Sequence, residues 1–488
     1  MGLLGKNGTG KTTTINILNG YLQPRGGECR IFGTPVRELP PAQRSHIGLL
    51  LEGHVQYAFM TIREIERFYS AFYPQWKKES YYELMSLLKV APGQRLSRMS
   101  CGQRSQVALG LILAQDPELL ILDDFSLGLD PGYRRLFVDY LKEYAVTRGK
   151  TVFLTSHIIQ DMERLIDDCI IMDYGRISVQ MPVADLMSRL HCFRYTVPEN
   201  YVQDDIDGFF RPSRIRDRIE IYSLLPVAEA EERLKHMAIC KFRSLRILKM
   251  LLSASPVNIN AIEKKMERAI FYKEWIKTRY YYMLALAVSW GCVGYTLLKI
   301  RYIIELKGAA HLWQVMLERD ALFIDRLTYL PMIIGILFAV VQFVPEMQQK
   351  RLKLTLHLPY PHYRNVAIML SWGVGCLLLC FATHYLMLWS YLQSVLAPEL
   401  YNRILLSASP WYIAGIVAYL FTAWICLEPT WKFRIVNLAV AVAVTSVLFL
   451  SAAPEAYNRM LGIAIIYTLL CLSLPMLSVQ RFMAGKQD

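Results

Sequence analysis

The residues Gly5-Lys6-Asn7-Gly8-Thr9-Gly10-Lys11-Thr12 have the types and spacing to hold phosphate. They fit G-x-x-x-x-G-K-[ST], in which glycines let backbone N–H groups close on an anion while the following helix points its N-terminus at it. Lys11 is the expected partner of the outer phosphates of ATP, and the Thr12 hydroxyl the expected ligand of Mg2+. Gly5, Asn7, Gly8, Gly10 and Thr13 complete the expected ATP-binding set. Further along, Leu119-Leu120-Ile121-Leu122-Asp123-Asp124 is an apolar run ending in two carboxylates. A magnesium–ATP site uses one carboxylate for the metal and one group to orient the attacking water.

Such residues work only where strands and helices deliver them. The apolar Met1–Leu4 precedes the glycine loop and Thr13–Leu18 reads as the helix that follows. Leu119–Leu122, Val152–Leu154 and Ile170–Met172 read as strands buried on both faces, and they alternate with helical stretches over residues 1–185, as in an α/β domain. Residues 186–262 read as an accessory subdomain and linker. Phe193–Val197 and Ile219–Leu224 are strand-like, Ala228–His236 is a charged helix, and Ser253–Ala261 has linker chemistry.

The character changes at residue 263. Lys264, Lys265, Arg268, Lys273, Lys277 and Arg279 alternate with Phe271, Trp275 and Ile276, a pattern that predicts an amphipathic helix on the cytoplasmic membrane face. Six apolar stretches follow, at 280–298, 327–345, 366–392, 409–427, 434–452 and 460–479. A span needs about 20 residues, so 263–480 reads as an all-α polytopic transmembrane domain, with 481–488 as a cytoplasmic tail. Lys350, Arg351, Lys353, Arg364, Lys432, Arg434, Arg481 and Lys486 fall on one side of a six-span layout, and that side is expected to be the cytoplasm. His384 reads as a hydrogen-bonded packing residue, and Pro331 and Pro345 as residues that kink or end the second span.

Composition agrees with a mixed architecture. Hydrophobic residues make up 54% of the 488, too many for a purely soluble chain, while 19% are charged, too many for a purely membrane one. The net charge of +13 fits cytoplasmic loops facing anionic lipid, and no basic run is interleaved with aromatics as in a nucleic-acid module. The ten cysteines are scattered without a CxxC pair, which argues against a disulfide framework or a zinc site.

Further segments carry a resemblance. Met99-Ser100-Cys101-Gly102-Gln103 resembles the signature LSGGQ of ABC transporters, placed before the carboxylate strand. Leu127-Gly128-Leu129-Asp130-Pro131 resembles the loop after that strand, Thr155-Ser156-His157 the switch histidine, and Ile47-Gly48-Leu49-Leu50-Leu51-Glu52 the glutamine loop. In order, these elements resemble an ABC cassette over residues 1–185, and the six-span half resembles an ABC exporter membrane domain. The resemblance implies an α/β P-loop NTPase fused to the transmembrane domain. It also implies that Ser100, Cys101, Gly102 and Gln103 serve the ATP of a second subunit. His157 would touch the γ-phosphate, Asp123 would hold magnesium with Thr12 and Glu52, Asp124 would polarise water, and Asp130 would lie in the loop between subunits.

There are departures. Asp124 replaces the usual Glu, Glu52 the usual Gln, and Cys101 the first signature glycine. Only four residues precede Gly5, so the first strand is expected to lack sheet neighbours and adenine its stacking aromatic, as in a chain that continues upstream. The function expected is an ABC half-transporter in the plasma or inner membrane, dimeric, exporting a hydrophobic or amphipathic substrate at the expense of ATP, without nucleic acid. Two alternatives stand beside it: a slow partner in a heterodimer, and a membrane sensor that moves nothing.

Overall fold

The structure is a computed structural model. It describes residues 1–485 apart from 6–7, 126–128, 130, 157–164, 190, 197–208, 216–217, 224–258, 349–350 and 452. The expected helix at 228–236 lies outside the described residues, as do residues 253–258 of the expected linker, whereas Ile259 already opens a helix.

The first strand, β1 (Gly2–Leu4), leads through the glycine loop into α1 (Lys11–Leu18). A hairpin of β2 (Arg30–Ile31) and β3 (Thr34–Pro35) and the short helix α2 (Pro41–Arg44) follow. Then come β4 (Ile47–Leu50), α3 (Ile62–Tyr69), α4 (Lys78–Leu87), α5 (Cys101–Ala114), β5 (Leu119–Leu122), α6 (Pro131–Arg148), β6 (Thr151–Ser156), β7 (Asp168–Asp173) and β8 (Arg176–Pro182). The main sheet has the order β4-β5-β6-β1-β7-β8, and all its neighbours are parallel except β7 and β8. Leu120, Ile121, Leu122 and Leu154 are buried, as continuous apolar runs in a two-sided parallel sheet require.

Here one expectation is corrected. The first strand does have neighbours: β1 lies between β6 and β7, with Leu3 opposite Thr155 and Ile170, and the Met1 ammonium donates to the Val152 carbonyl at 2.8 Å. Three residues suffice because a strand inserted in mid-sheet pairs along both edges.

After α7 (Val183–Arg189), strands β9 (His191–Thr196), β10 (Phe209–Ile215) and β11 (Arg218–Ser223) form a separate antiparallel sheet in the order β10-β11-β9. The helical domain contains α8 (Ile259–Lys307), α9 (Ala309–Glu318), α10 (Leu330–Met347), α11 (Arg351–His357), α12 (His362–Leu392), α13 (Pro398–Leu427), α14 (Trp431–Val447), α15 (Leu461–Cys471) and α16 (Leu474–Met483). Among the described residues five segments are long and apolar enough to cross a membrane: Lys264–Lys307, Asp325–Met347, His362–Leu392, Pro398–Leu427 and Asn458–Met483. The remaining expected span, 434–452, corresponds to α14, which has 17 residues.

Helices α10 and α13 cross where neither carries a side chain. A Cβ on Gly335 would stand 2.0 Å from the Gly415 carbonyl oxygen, so the two backbones touch, as small residues allow in membrane helices. Pro331 sits in the first turn of α10, where its missing N–H leaves no helical bond unmade, and Pro345 lies in the last turn. His384 is fully buried, its Nε2 2.9 Å from the Ser289 hydroxyl.

The basic segment at 264–279 opens α8, one continuous helix of 49 residues that runs on into the first apolar stretch. Lys273 and Lys277 are buried, at 1% and 8% exposure, against Glu274 of the same helix and against Glu346 of α10, a partner that the periodicity of a single helix could not reveal.

Candidate functional site

The parallel register brings the chemistry to one edge of the sheet. Leu4 lies opposite Ser156, and Leu122 opposite both Leu50 and Leu154. The glycine loop, the Glu52 turn and the Asp123–Asp124 pair therefore leave β1, β4 and β5 of one parallel sheet at their carboxyl ends, the usual place for ligands in open α/β sheets.

In the glycine loop, Gly8 and Gly10 have φ of +85° and +105°, conformations that L side chains rarely adopt. A Cβ on Gly5 would lie 2.5 Å from the Thr9 hydroxyl and 2.7 Å from the Met172 carbonyl. Lys11 is buried, and its ammonium donates to the Gly5 carbonyl at 2.7 Å, so its charge is held across the loop. Thr12 and Thr13 stand in the first turn of α1. Asn7 lies outside the described residues.

Thr155 fixes the carboxylate pair. Its hydroxyl donates to Asp123 Oδ1 at 2.9 Å and accepts from the Asp124 backbone N–H at 2.8 Å. Asp123 is buried, whereas Asp124 sits at φ +43°, a left-handed conformation that Asp tolerates better than most side chains. The hydroxyl of Thr12 and the carboxylates of Asp123 and Glu52 are oxygen donors throughout. That is the chemistry of a hard cation such as Mg2+, which typically takes one or two carboxylates plus substrate phosphates and keeps several waters.

Ser100 caps α5 in a reciprocal box: its hydroxyl accepts from the Gln103 N–H at 3.2 Å, and Gln103 Oε1 accepts from the Ser100 N–H at 3.1 Å. Both side chains are thus engaged in building the helix end. Gly102 is required by packing, because a Cβ there would meet the Tyr133 ring at 2.5 Å. Cys101 is half-buried beside it. His157 and Asp130 lie outside the described residues.

Sequence reasoning missed His54. It is buried two residues beyond Glu52, at φ +52°, and its Nε2–H donates to the Phe125 carbonyl at 2.7 Å, with the Ser105 hydroxyl of α5 at 3.5 Å. Burial pushes its pKa below the ordinary range, leaving the imidazole neutral. It ties the Glu52 turn to both the signature helix and the backbone after Asp124. A lone histidine in a loop carried no signal for this.

The two halves meet at Glu346 and the basic segment that runs to Leu358-Pro359, the place that the resemblance to ABC membrane domains implies. Helix α11 inserts into the cassette with residues 352–357 all buried. Lys353 donates to Asn16 at 2.7 Å while its carbonyl accepts from the Tyr21 hydroxyl at 2.7 Å, and His357 Nε2 donates to the Ile47 carbonyl at 3.0 Å. The Tyr57 hydroxyl lies 2.8 Å from Thr355 Oγ1, which donates to Glu346 at 2.9 Å. Glu346 accepts from Lys273 at 3.0 Å and from Lys277 at 2.7 Å, and Glu274 accepts from Lys277 at 2.8 Å and Gln342 at 2.9 Å. Gln342 in turn accepts from Tyr419 at 2.8 Å. A buried polar chain thus runs from the cassette into three apolar helices.

The fold and the loop geometry define a phosphate-loop nucleotide-binding cassette carried on a helical membrane domain. The sequence profile of the family described as ABC transporter matches residues 1–126. The chain is similar to Nod factor export ATP-binding protein I of Rhizobium etli, 32% identical over 194 residues, covering 39% of this chain and 61% of that protein. The protein of the same name from Paraburkholderia xenovorans is 31% identical over 237 residues, covering 47% of this chain and 73% of that one. The Rhizobium meliloti protein is 34% identical over 179 residues, 36% of this chain and 53% of its own. The chain belongs to the ABC transporter family. Among solved structures, an ATP-binding subunit of an ABC transporter is 27% identical, covering 38% of this chain and 78% of that chain, with a TM-score of 0.35.

Proposed function

We propose that the protein is an ABC half-transporter that couples ATP binding and hydrolysis to export. The observation that carries this reading is the hydrogen-bonded path from Tyr57, on the segment after the Glu52 turn, through Thr355 and Glu346 to Lys273 and Lys277 on α8. A cassette used only to bind nucleotide has no need of a fully buried polar connection into membrane helices, where each unpaired group is costly. Export is favoured by the relatives named for Nod factor export.

In this reading Lys11 and the loop amides hold the phosphates of ATP, and Thr12, Asp123 and Glu52 hold magnesium, which neutralises charge at the transferring phosphoryl group. Asp124 polarises the attacking water, His157 touches the γ-phosphate, and Thr155 holds the Asp123 carboxylate and the Asp124 backbone in place. Ser100, Cys101, Gly102 and Gln103 serve the partner's nucleotide, and Asp130 lies between the subunits, so the working unit is a dimer. A slow role beside a faster partner is the second reading, favoured by Asp124 in place of Glu.

The helical half is proposed to cross six times, with α14 as the remaining span. Its 17 residues reach about 25 Å at 1.5 Å each, just short of a typical apolar core. The parity of the crossings supports this count. Lys265 at the start of α8 donates to the Ser70 carbonyl of the cassette at 3.2 Å. At the other end a Cβ on Gly485 would lie 2.2 Å from Leu22 of the cassette. A chain that enters and leaves on one side makes an even number of crossings.

Reconstitution into sealed vesicles with ATP outside, and a panel of lipids, peptides and drugs, tests the reading. ATP-dependent accumulation of at least one panel member is expected. Tight ATP binding with no flux of any member would favour the sensor.

A further inference from the structure

At the cassette-side end of the helical domain, the last turns of α10 and α13 and the first turns of α14 enclose a cleft of about 480 Å³. That size lies in the range of small-molecule sites. Its walls are apolar, from Val344, Met347, Ile425, Ile435 and Leu438, and its polar lining is Gln348 and Arg434. The cleft sits where the segments Asp325–Met347 and Pro398–Leu427 end, the depth at which hydrocarbon gives way to headgroups. Trp431, 66% exposed, stands at the same level with the Arg434 guanidinium 5.0 Å over its ring, as interfacial tryptophans do.

Charge distinguishes this cleft from a plain apolar groove. Glu428 is buried and accepts from Arg481 at 3.2 Å, from Ser478 at 2.6 Å and from Thr430 at 3.1 Å. Arg434 does not pair with that carboxylate. Its Nε donates instead to the Glu428 main-chain carbonyl at 2.7 Å, which fixes the guanidinium plane at the cleft. Arg481 takes the one carboxylate of this corner, and among the described residues no carboxylate pairs with the Arg434 guanidinium, whose charge faces the cleft.

We propose that this cleft binds one membrane phospholipid with an anionic headgroup, its acyl chain between α10 and α14 and its phosphate on Arg434. A guanidinium held by one nitrogen still offers a fork suited to phosphate oxygens. The lipid would also lie against the turn of α10 whose Glu346 enters the buried network, since Val344 and Met347 flank that residue.

Photoactivatable phosphatidylglycerol, added as a trace to phosphatidylcholine vesicles holding the full chain, tests this by peptide mapping. Labelling is expected to concentrate on the peptides carrying residues 344–348 and 431–438, and to fall about tenfold in Arg434→Gln while Arg434→Lys retains most of it, since one lost charge-assisted contact is worth about 1.4 kcal/mol or more. Leu438→Trp, which fills the cleft, should lose the label while eluting as the wild type does on size exclusion. Equal labelling by a phosphatidylcholine probe, unchanged labelling in Arg434→Gln, or label spread evenly over all lipid-facing helices would each overturn the proposal.

Discussion

The hydroxyl of Tyr57 and that of Thr355, 298 residues apart in the chain, meet at 2.8 Å in a fully buried contact between the cassette and the membrane domain. Thr355 passes the contact on to Glu346, and Lys273 lies 5.1 Å from the centre of the Tyr57 ring, so one tyrosine touches both the carboxylate's partner and its counter-ion. Two Lys and two Glu, all buried, balance each other there.

This balance makes unequal demands on its members. Glu346→Ala leaves two buried ammonium groups short of a partner, and breaking a buried pair in this way costs about 3–5 kcal/mol. Tyr57→Phe removes one neutral hydrogen bond and leaves Thr355 bonded to Glu346, a loss of about 1 kcal/mol. Thermal unfolding in detergent should therefore rank wild type, Tyr57→Phe and Glu346→Ala in falling order. Equal midpoints for the two variants would contradict the network.

Lys11→Ala should abolish measurable ATP turnover in the purified protein. The lysine is held to the Gly5 carbonyl at 2.7 Å, so its charge is already placed over the loop before nucleotide arrives. Turnover at the wild-type rate in this variant would remove the glycine loop from the reaction.

Gly102→Ala places a methyl 2.5 Å from the Tyr133 ring. Either the ring or the start of α5 must move, with an overpacking cost of about 1–3 kcal/mol. ATP turnover should fall about tenfold while ATP retention at the glycine loop is unchanged. The double variant Gly102→Ala with Tyr133→Ala should recover most of the rate, because the obstacle is then gone. Loss of ATP retention in the single variant would point to general unfolding instead.

Asp124→Glu should raise turnover. The Asp carboxylate is shorter by one methylene, and a misplacement of about 1 Å can cost on the order of a hundredfold. The backbone at this residue is at φ +43°, where Asp is better tolerated than Glu, so the gain should be smaller than the full factor. A slower Asp124→Glu enzyme beside a fast wild type would show that the site has adapted to the shorter side chain, and the slow-partner reading would fall.

His357 gives the junction a pH dependence. Burial lowers its pKa to about 4, against the opposing hydrogen bond to the Ile47 carbonyl. Between the unfolded value of about 6.5 and 4, the unfolded chain takes up a proton that the folded one refuses. The stability is therefore intact above about pH 6.5 and declines as the pH falls toward 4, by up to about 3 kcal/mol. The melting temperature should drop more steeply over this window in wild type than in His357→Asn. Parallel curves would mean that His357 titrates freely.

The amino-acid sequence by itself determined the cassette. A glycine loop must follow a strand and open a helix, and a carboxylate pair must end a buried strand, so local pattern was enough to place Gly5–Thr13 and Asp123–Asp124 at one sheet edge. It also determined that the second half is helical and apolar, because hydrophobic length is a local property. Only the tertiary structure decided the rest. Lys273 and Lys277 read as the basic side of an amphipathic helix until Glu346 arrived beside them from another helix, joining Glu274 of their own. The three-residue strand β1 looked unsupported until β6 and β7 closed on it. Tyr57, His54 and His357 had no pattern to mark them, since each acts through a partner distant in sequence, and a pairing between distant residues leaves no periodic trace in either segment.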